Sequence, residues 1–328
     1  MRPGAAHRRA RAHHLDLCAR PGPQPGRDLR IRLTWACPVT TDLARSACSF
    51  LFVPATRPER LPKALASGAD MVIADWEDAV APADKAAARA ALQQAVQALP
   101  AADRARLLVR TNASASEWFG ADLAALGPLV AAGVAGAMLP KAEGAGALQQ
   151  VAAAAGPRCA LVPLVESVAG LDALDAIAAA TPQVARLAFG HLDFQVDAGM
   201  QCGPDEGELL PARWALVMAS RRAGLAPPID GVTTDTQDAA RIGGDTRRAL
   251  RLGFGAKLCI HPAQVPWVNG VFAPDAAAVA HASAVVQAMQ DAGGGVCVVD
   301  GRMVDAPVLR LAEQTLARHA WAQQRLSN

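Results

Sequence analysis

The sequence predicts a (β/α)8 barrel with a small C-terminal helical lid, and three observations predict it. Eight short β-rich runs alternate with alanine-rich helical stretches between residues 48 and 270: SFLFVP, DMVIAD, RLLVRT, GAMLP, ALVPLVE, RLAFG, PPIDGV and AKLCI. Consecutive βα units of this kind build a parallel sheet, and a closed eight-stranded barrel needs about this many units in roughly 250 residues. Charged residues gather immediately after most of the runs, at one end, as a shared pocket requires. No GxGxxG follows the first run, which argues against the rival doubly wound open sheet.

Residues 1–45 differ from the rest of the chain. They carry eight arginines by Arg32 but only Asp16 and Asp28 as acids up to that point, with the loop-like PGPQPG at 21–26. The segment reads as a disordered tail or as an upstream start; an Arg-rich, acid-poor targeting peptide is the alternative. The barrel is assigned to 46–274. Beyond it lie an alanine-rich helical stretch, the triple glycine 293–295, the run VCVVDGRMVD and a last helical stretch, assigned to a lid or oligomerisation segment at 275–328. The glycines mark a hinge or a turn.

Bulk composition narrows the function. A formal net charge of +2, no tyrosine and 4% aromatic residues argue against a nucleic-acid partner. No run reaches the ~20 apolar residues of a membrane span. Seven scattered cysteines with no CxxC give neither a zinc signature nor a disulfide framework, so a reducing, cytoplasmic setting is expected.

The residues after each run carry the chemistry. The second run ends in Asp75, Glu77 and Asp78; the third in Arg110, Thr111 and Asn112; the fourth in Lys141 and Glu143. The fifth ends in Glu166, the sixth in His191 and Asp193, the eighth in His261. Each also has a structural reading. Glu166 fits an acid at a helix N-terminus, Asp193 a turn cap, the DWED acids a solvated loop, and Arg110 a partner for one of these acids. Their collection on one rim favours a site. Oxygen donors with few histidines suit a hard cation, Mg2+ or Mn2+, completed by water and substrate. Such an ion acts as a Lewis acid at a carbonyl or alkoxide, and a nearby arginine stabilises an enolate. That combination points to carbon–carbon bond making or breaking.

The motifs SFLFVPATRPERLPKALASGADMVIADWEDAVAPADK, VRTN, MLPKAE, LVPLVESVAG, LAFGHLDF, IDGVTTD and LGFGAKLCIHPAQV run in one order over roughly residues 48–272, and VVDGRMVDAPVLRLAE extends them. In these the chain resembles the HpcH/HpaI aldolase and citrate lyase family, in its citrate lyase beta subunit and acyl-CoA lyase branch. The resemblance implies Glu166 and Asp193 as direct Mg2+ ligands. It implies Arg110 on the substrate carbonyl and thioester enolate, and Glu77 and Asp78 on metal-bound waters. Lys141 falls beside the substrate, and Asp305 matches a lid-borne acid or base that reaches a neighbouring subunit's site. DWED in place of an acid followed by histidine favours the citrate lyase branch over aldolases. Cys48 stands where the family often has arginine, and Ala55 where glycine is usual. His191 either tunes the pocket or caps its loop.

The expected activity is Mg2+-dependent cleavage of a 3-hydroxyacyl-CoA thioester of malyl-, citramalyl- or citryl-CoA type to an acyl-CoA and a 2-oxo acid, or the reverse condensation. The expected assembly is a homotrimer or homohexamer. An aldolase acting on free 4-hydroxy-2-oxo acids and a non-catalytic, partner-binding subunit are the rivals.

Overall fold

The computed structural model describes residues 40–327, so most of the Arg-rich segment lies outside the described residues. Eight parallel strands close into a barrel in sequence order: β1 Ser49–Pro54, β2 Met71–Asp75, β3 Leu107–Arg110, β4 Gly136–Leu139, β5 Ala160–Val165, β6 Ala188–Phe189, β7 Ile229–Asp230 and β8 Ala256–Cys259. β8 pairs back to β1 through Ser49 opposite Lys257. All eight β-rich runs therefore become barrel strands.

Strand side chains alternate between two layers, as the period of two requires. Phe50, Met71, Ile73, Leu108, Val162, Leu164 and Leu258 fill the barrel interior. Leu51, Val72, Ala74, Leu107, Val109, Leu161 and Val165 pack outward against the helices. The same alternation sends Asp75, Arg110 and Glu166 inward at the strands' C-terminal ends, because each continues the interior parity of Ile73, Leu108 and Leu164. Hydrophobic pairing fixes this register: a slip of one residue would turn every one of these groups to the other layer. Asp75 stands opposite Arg110 across β2 and β3.

At the other end of the barrel the helix Thr40–Ser46 lies across the floor. Ala44 and Ala47 are fully buried against the interior cluster, and the buried Arg186 guanidinium donates to Ala44 O (3.3 Å) and Ala47 O (2.6 Å). Residues 40–45, read from sequence as the end of a tail, are thus part of the fold. Their few apolar positions are too short a run to stand out without the barrel floor they cover.

The C-terminal segment, expected to be a helical lid, is more than helical. The helix Ala276–Asp291 ends in the triple glycine, and its last carbonyls are satisfied there: Gly294 N donates to Met289 O (2.9 Å) and Gly293 N to Gln290 O. With Gly293 at φ 61° and Gly294 at φ 84°, the glycines make a bonded left-handed helix stop, in line with a turn rather than a free joint. Antiparallel β9 Cys297–Val299 and β10 Arg302–Val304 follow, joined at Asp300–Gly301 with positive φ at both residues. This is the tight hairpin turn that an Asp-Gly pair favours. The final helix Ala306–Ser327 returns along Ala276–Asp291 around a separate small core that includes Val285, Met289, Val299 and Val304. Its end meets the barrel, where Trp321 packs on the outer core and Arg325 Nη1 lies 3.4 Å from both Asp70 oxygens. Among the described residues, no helix is long and apolar enough to cross a membrane.

Gly136 opens β4 directly opposite Ala160 of β5. A Cβ there would sit 1.9 Å from Ala160 O, a backbone atom that cannot swing away. Gly136→Ala is expected to destabilise the protein by at least about 2 kcal/mol, read as a lower midpoint in urea unfolding.

Candidate active site

The C-terminal ends of the strands enclose a cleft of about 420 Å³. Phe52, Pro54, Leu164, Leu258 and Ile260 supply its apolar wall, and Asp75, Asp78, Arg110, Glu166, His191 and Asp193 its polar groups. Apolar walls with a few convergent charges are the usual make-up of a small-molecule site.

Arg110 is the centre of the polar set. Its Nε and Nη2 donate to the two oxygens of Asp75 at 2.7 and 2.6 Å, a bidentate pair. Its Nη1 donates to Asp78 Oδ2 at 3.1 Å. Glu77 Oε2 lies 2.9 Å from the same nitrogen, at an angle that makes it an ion contact without a hydrogen bond. The guanidinium rests over the Phe52 ring, 4.8 Å from its centroid.

Lys141 joins this set from the end of β4. Its Nζ donates to Glu77 Oε1 at 2.7 Å, and its backbone N–H donates to Glu166 Oε1 at 2.8 Å. To do both, Lys141 adopts φ 47°, a left-handed conformation costly for a residue with a side chain and typical of residues held for function. Burial opposes its charge, but the hydrogen bond and charge of Glu77 outweigh burial and raise its pKa.

Glu166 is buried, and its second oxygen accepts no hydrogen bond among the described residues. Burial first, and then the negative charges of Glu77 and Asp193, push its carboxyl up to about 8. Asp193 lies exposed in the first turn of the helix His191–Asp197, also without a donor among the described residues. Gly190 makes the close approach possible: a Cβ on it would fall 2.4 Å from Glu166 Oε2. The rim thus holds five carboxylates, Asp75, Glu77, Asp78, Glu166 and Asp193, against two cations, Arg110 and Lys141, a formal excess of three negative charges. Among the described residues, no group of three His, Cys, Asp or Glu is placed to hold a metal alone. The open oxygens of Glu166 and Asp193 instead make a two-carboxylate donor set for a hard cation, with its other positions left to water and substrate. The residues fit Mg2+ on these terms.

The structure brings together Glu77, Asp78, Arg110, Lys141, Glu166 and Asp193. It leaves Asp305 apart: among the described residues none beyond Ile260 lines the cleft, and Asp305 Oδ1 accepts from Val308 N at the start of the last helix. His261 caps a short helical turn through Ala263 N, and Glu143 accepts from Ser167, so both are used locally. Cys48 lies at the opposite end of β1 from the cleft, where its N–H donates to Asp70. His191 both lines the cleft and meets Glu206, with Nε2 3.5 Å from Oε1.

Two groups that hold the site are not assigned a part in it by the sequence. Asp75 is visible as a run-ending acid, but only the alternation of β2 marks it as inward and opposite Arg110. Glu206, in the left-handed region at φ 52°, accepts from Arg213 and Arg248 as well as meeting His191. Against the effect of burial, His191 and Arg213 hold its carboxyl well below the usual range. Its loop has no periodicity, so nothing in the sequence ties it to the sixth strand.

A model of the HpcH/HpaI aldolase/citrate lyase family matches residues 48–262, which span β1 to β8 and every residue of the rim. The chain belongs to this family of lyases. It is 33% identical to a (3S)-malyl-CoA thioesterase of Cereibacter sphaeroides over 82% of this chain and 93% of that one. It is 32% identical to the L-malyl-CoA/beta-methylmalyl-CoA lyase of the same species, over 80% and 91% of the two chains. Among solved structures it is similar to CitE of Mycobacterium tuberculosis in complex with magnesium, acetoacetate and coenzyme A. That match has a TM-score of 0.72 and 35% identity, and covers 84% of this chain and 99% of the other.

Asp75 is 1% exposed, whereas the Asp78 side chain is 61% exposed. Asp75→Asn, which strips a buried guanidinium of its bidentate partner, is expected to cost about 3–5 kcal/mol of stability. Asp78→Asn is expected to cost under ~1 kcal/mol. Paired urea titrations of the two variants check both values.

Proposed function

We propose that this lyase cleaves the carbon–carbon bond of a 3-hydroxyacyl-CoA thioester of malyl-, citramalyl- or citryl-CoA type, giving an acyl-CoA and a 2-oxo acid, and runs the reverse condensation. The observation that carries this reading is the pair of open carboxylates, Glu166 and Asp193, facing the Arg110 guanidinium across one cleft. Glu166 and Asp193 would hold Mg2+, with Mn2+ as a substitute, and Glu77 and Asp78 would orient its waters. When bound, the ion supplies Lewis-acid stabilisation to the oxygens of the 2-oxo acid portion. A relative named as a lyase of malyl-CoA thioesters and a magnesium- and coenzyme A-bound neighbour support the substrate class.

Arg110 is suited to the other half of the substrate. Its remaining Nη2 proton is free of the Asp75 and Asp78 contacts, and a donor at the thioester oxygen binds that oxygen more tightly as negative charge grows on it. In cleavage, a base takes the hydroxyl proton and the C–C bonding pair moves into the thioester enolate. The 2-oxo carbonyl forms, and a proton returns to the enolate carbon. Lys141, tied to both Glu77 and Glu166, holds these carboxylates apart and in place. We assign the acid that protonates the carbon to Asp305 of a neighbouring copy, in a homotrimer or homohexamer, because Asp305 does not line its own chain's cleft. Free thiols at all five described cysteines fit a cytoplasmic enzyme.

A panel of hydroxyacyl-CoAs incubated with Mg2+ tests the reading. The expected products are an acyl-CoA and a 2-oxo acid in equal amounts, with loss of both when the metal is chelated. Release of free CoA without 2-oxo acid would make the chain a thioesterase, as one relative is named. Turnover of free 4-hydroxy-2-oxo acids alone would make it an aldolase, and no turnover in any arm would leave a binding subunit. Glu166→Ala, Asp193→Ala and Gly190→Ala, which drives a methyl into Glu166 Oε2, are each expected to weaken Mn2+ binding at least about tenfold, roughly 1.4 kcal/mol, in calorimetry of the folded variants.

The shared site has its own test. Asp305→Ala and Arg110→Ala proteins, each inactive alone, are expected to regain activity when mixed under conditions that exchange subunits. A monomer in sedimentation, or exchange without recovery, would return Asp305 to a helix-capping role.

A further inference from the structure

The motif that contains DWED closes on Lys85, a residue to which neither the proposed chemistry nor the family resemblance assigns a part. The helix Lys85–Ala98 begins at this residue, nine positions after Trp76. Its ammonium is buried, with the side chain turned back beneath the loop that carries Glu77 and Asp78. There Nζ donates to Trp76 O at 2.7 Å, Glu77 O at 2.8 Å and Asn112 Oδ1 at 2.6 Å. Three donors meet three acceptors, and the charge also lies 5.0 Å from the centroid of the Trp118 ring.

Lys85 makes no ion pair within 4 Å among the described residues, an expensive place for a lysine unless its position is of use. Its bonds show what that use is. The Glu77 backbone is fixed at both ends, because its N–H donates to Asp75 Oδ1 at 2.9 Å while its C=O accepts from Lys85. With both groups fixed, the Glu77 side chain points up to Lys141 and Arg110. The third bond crosses to the loop after β3, two residues beyond Arg110. Asn112 is anchored there in turn: its N and Nδ2 donate to Asp122 Oδ2 at 2.7 and 2.8 Å, and Arg89 donates to Asp122 Oδ1.

We infer that Lys85 is a positioning residue, a buried cationic strap that joins the loop after β2 to the loop after β3 and so sets the geometry of Glu77 against Arg110. It touches neither the Glu77 carboxylate nor the Arg110 guanidinium and would touch no substrate. The kinetic part of this inference rests on the lyase reading; the structural part does not.

Lys85→Met keeps much of the apolar stem and removes all three donors. Two measurements on the full-length variant test the inference. In the first, phenylglyoxal labelling of Arg110 is followed peptide by peptide, a readout independent of any reaction the protein catalyses. The expected result is labelling at least about fivefold faster than wild type, with unchanged labelling of the buried Arg186 in the barrel floor as the control for intact folding. In the second, kcat for thioester cleavage is expected to fall about 10- to 100-fold, the scale of a small misplacement of a reacting group. Mn2+ affinity should stay within about threefold, because Glu166 and Asp193 follow other strands, β5 and β6. Lys85→Arg, which keeps the charge and some donors, is expected to recover part of both effects. Arg110 labelling at the wild-type rate in folded Lys85→Met overturns the inference. If labelling rises but no thioester is cleaved even by wild type, the strap stands and the lyase reading fails. Should Lys85→Met not fold, Asn112→Ser removes the cross-loop acceptor together with the Nδ2 bond to Asp122 while leaving Lys85 itself in place, and Arg110 labelling less than about twofold faster there overturns the inference.

Discussion

The bidentate pair between Arg110 and Asp75 is the contact on which the upper half of the barrel depends. Neither charge belongs inside a protein by itself. A buried ion pair returns little net stability once desolvation is counted, so its value lies in what it fixes. Asp75 accepts two guanidinium donors and also two loop amides, Glu77 N and Ala79 N. Rigid placement of Arg110 is thereby tied to the fold of the loop after β2. Glu77 follows from that loop, Lys141 from Glu77, and Glu166 from the strained backbone of Lys141. A chain of short contacts carries one strand pairing through to the carboxylate on the opposite wall.

The electrostatics of the rim run against this order. Five carboxylates converge where two cations do not balance them, and burial drives the Glu166 carboxyl up to about 8. A fold selected for stability alone would place neutral groups there. The excess charge is held in place by backbone: a left-handed Lys141, a glycine at 190 that lets a carboxylate come within contact, and a glycine at 231 whose added Cβ would lie 2.1 Å from His191 Nδ1. Such positions mark where the barrel's geometry serves chemistry at the expense of local comfort.

Much of this is legible in the sequence, for a specific reason. Barrel strands are short, two-sidedly buried and apolar, so an acid or arginine at the end of LVPLVE or RLLVR stands out and its parity gives its direction. Run ends therefore suffice to place the eight strands, and parity to turn Asp75, Arg110 and Glu166 inward, whereas Glu77, Asp78, Lys141 and Asp193 lie past the last strand residues, where parity gives no direction. Contacts made across the sequence with no pattern of their own stay hidden. Lys85 looks like any lysine at the start of a solvated helix, and Glu206 lies in an aperiodic loop. The floor helix Thr40–Ser46 is too short to show amphipathic repetition, and the hairpin in the lid lies in strands of only three residues. Asp305, which the family resemblance implies as a lid-borne acid or base, accepts from Val308 N at the start of the last helix, a local contact that its place in the sequence does not announce.

The floor helix has a consequence for where the chain can be trimmed. Ala44 and Ala47 cover the interior cluster, and the buried Arg186 directs two of its donors to their carbonyls. A chain cut just ahead of β1 would expose apolar side chains at the barrel floor and leave a buried guanidinium short of acceptors. The boundary of the folded unit thus lies at this seven-residue helix rather than at the first strand.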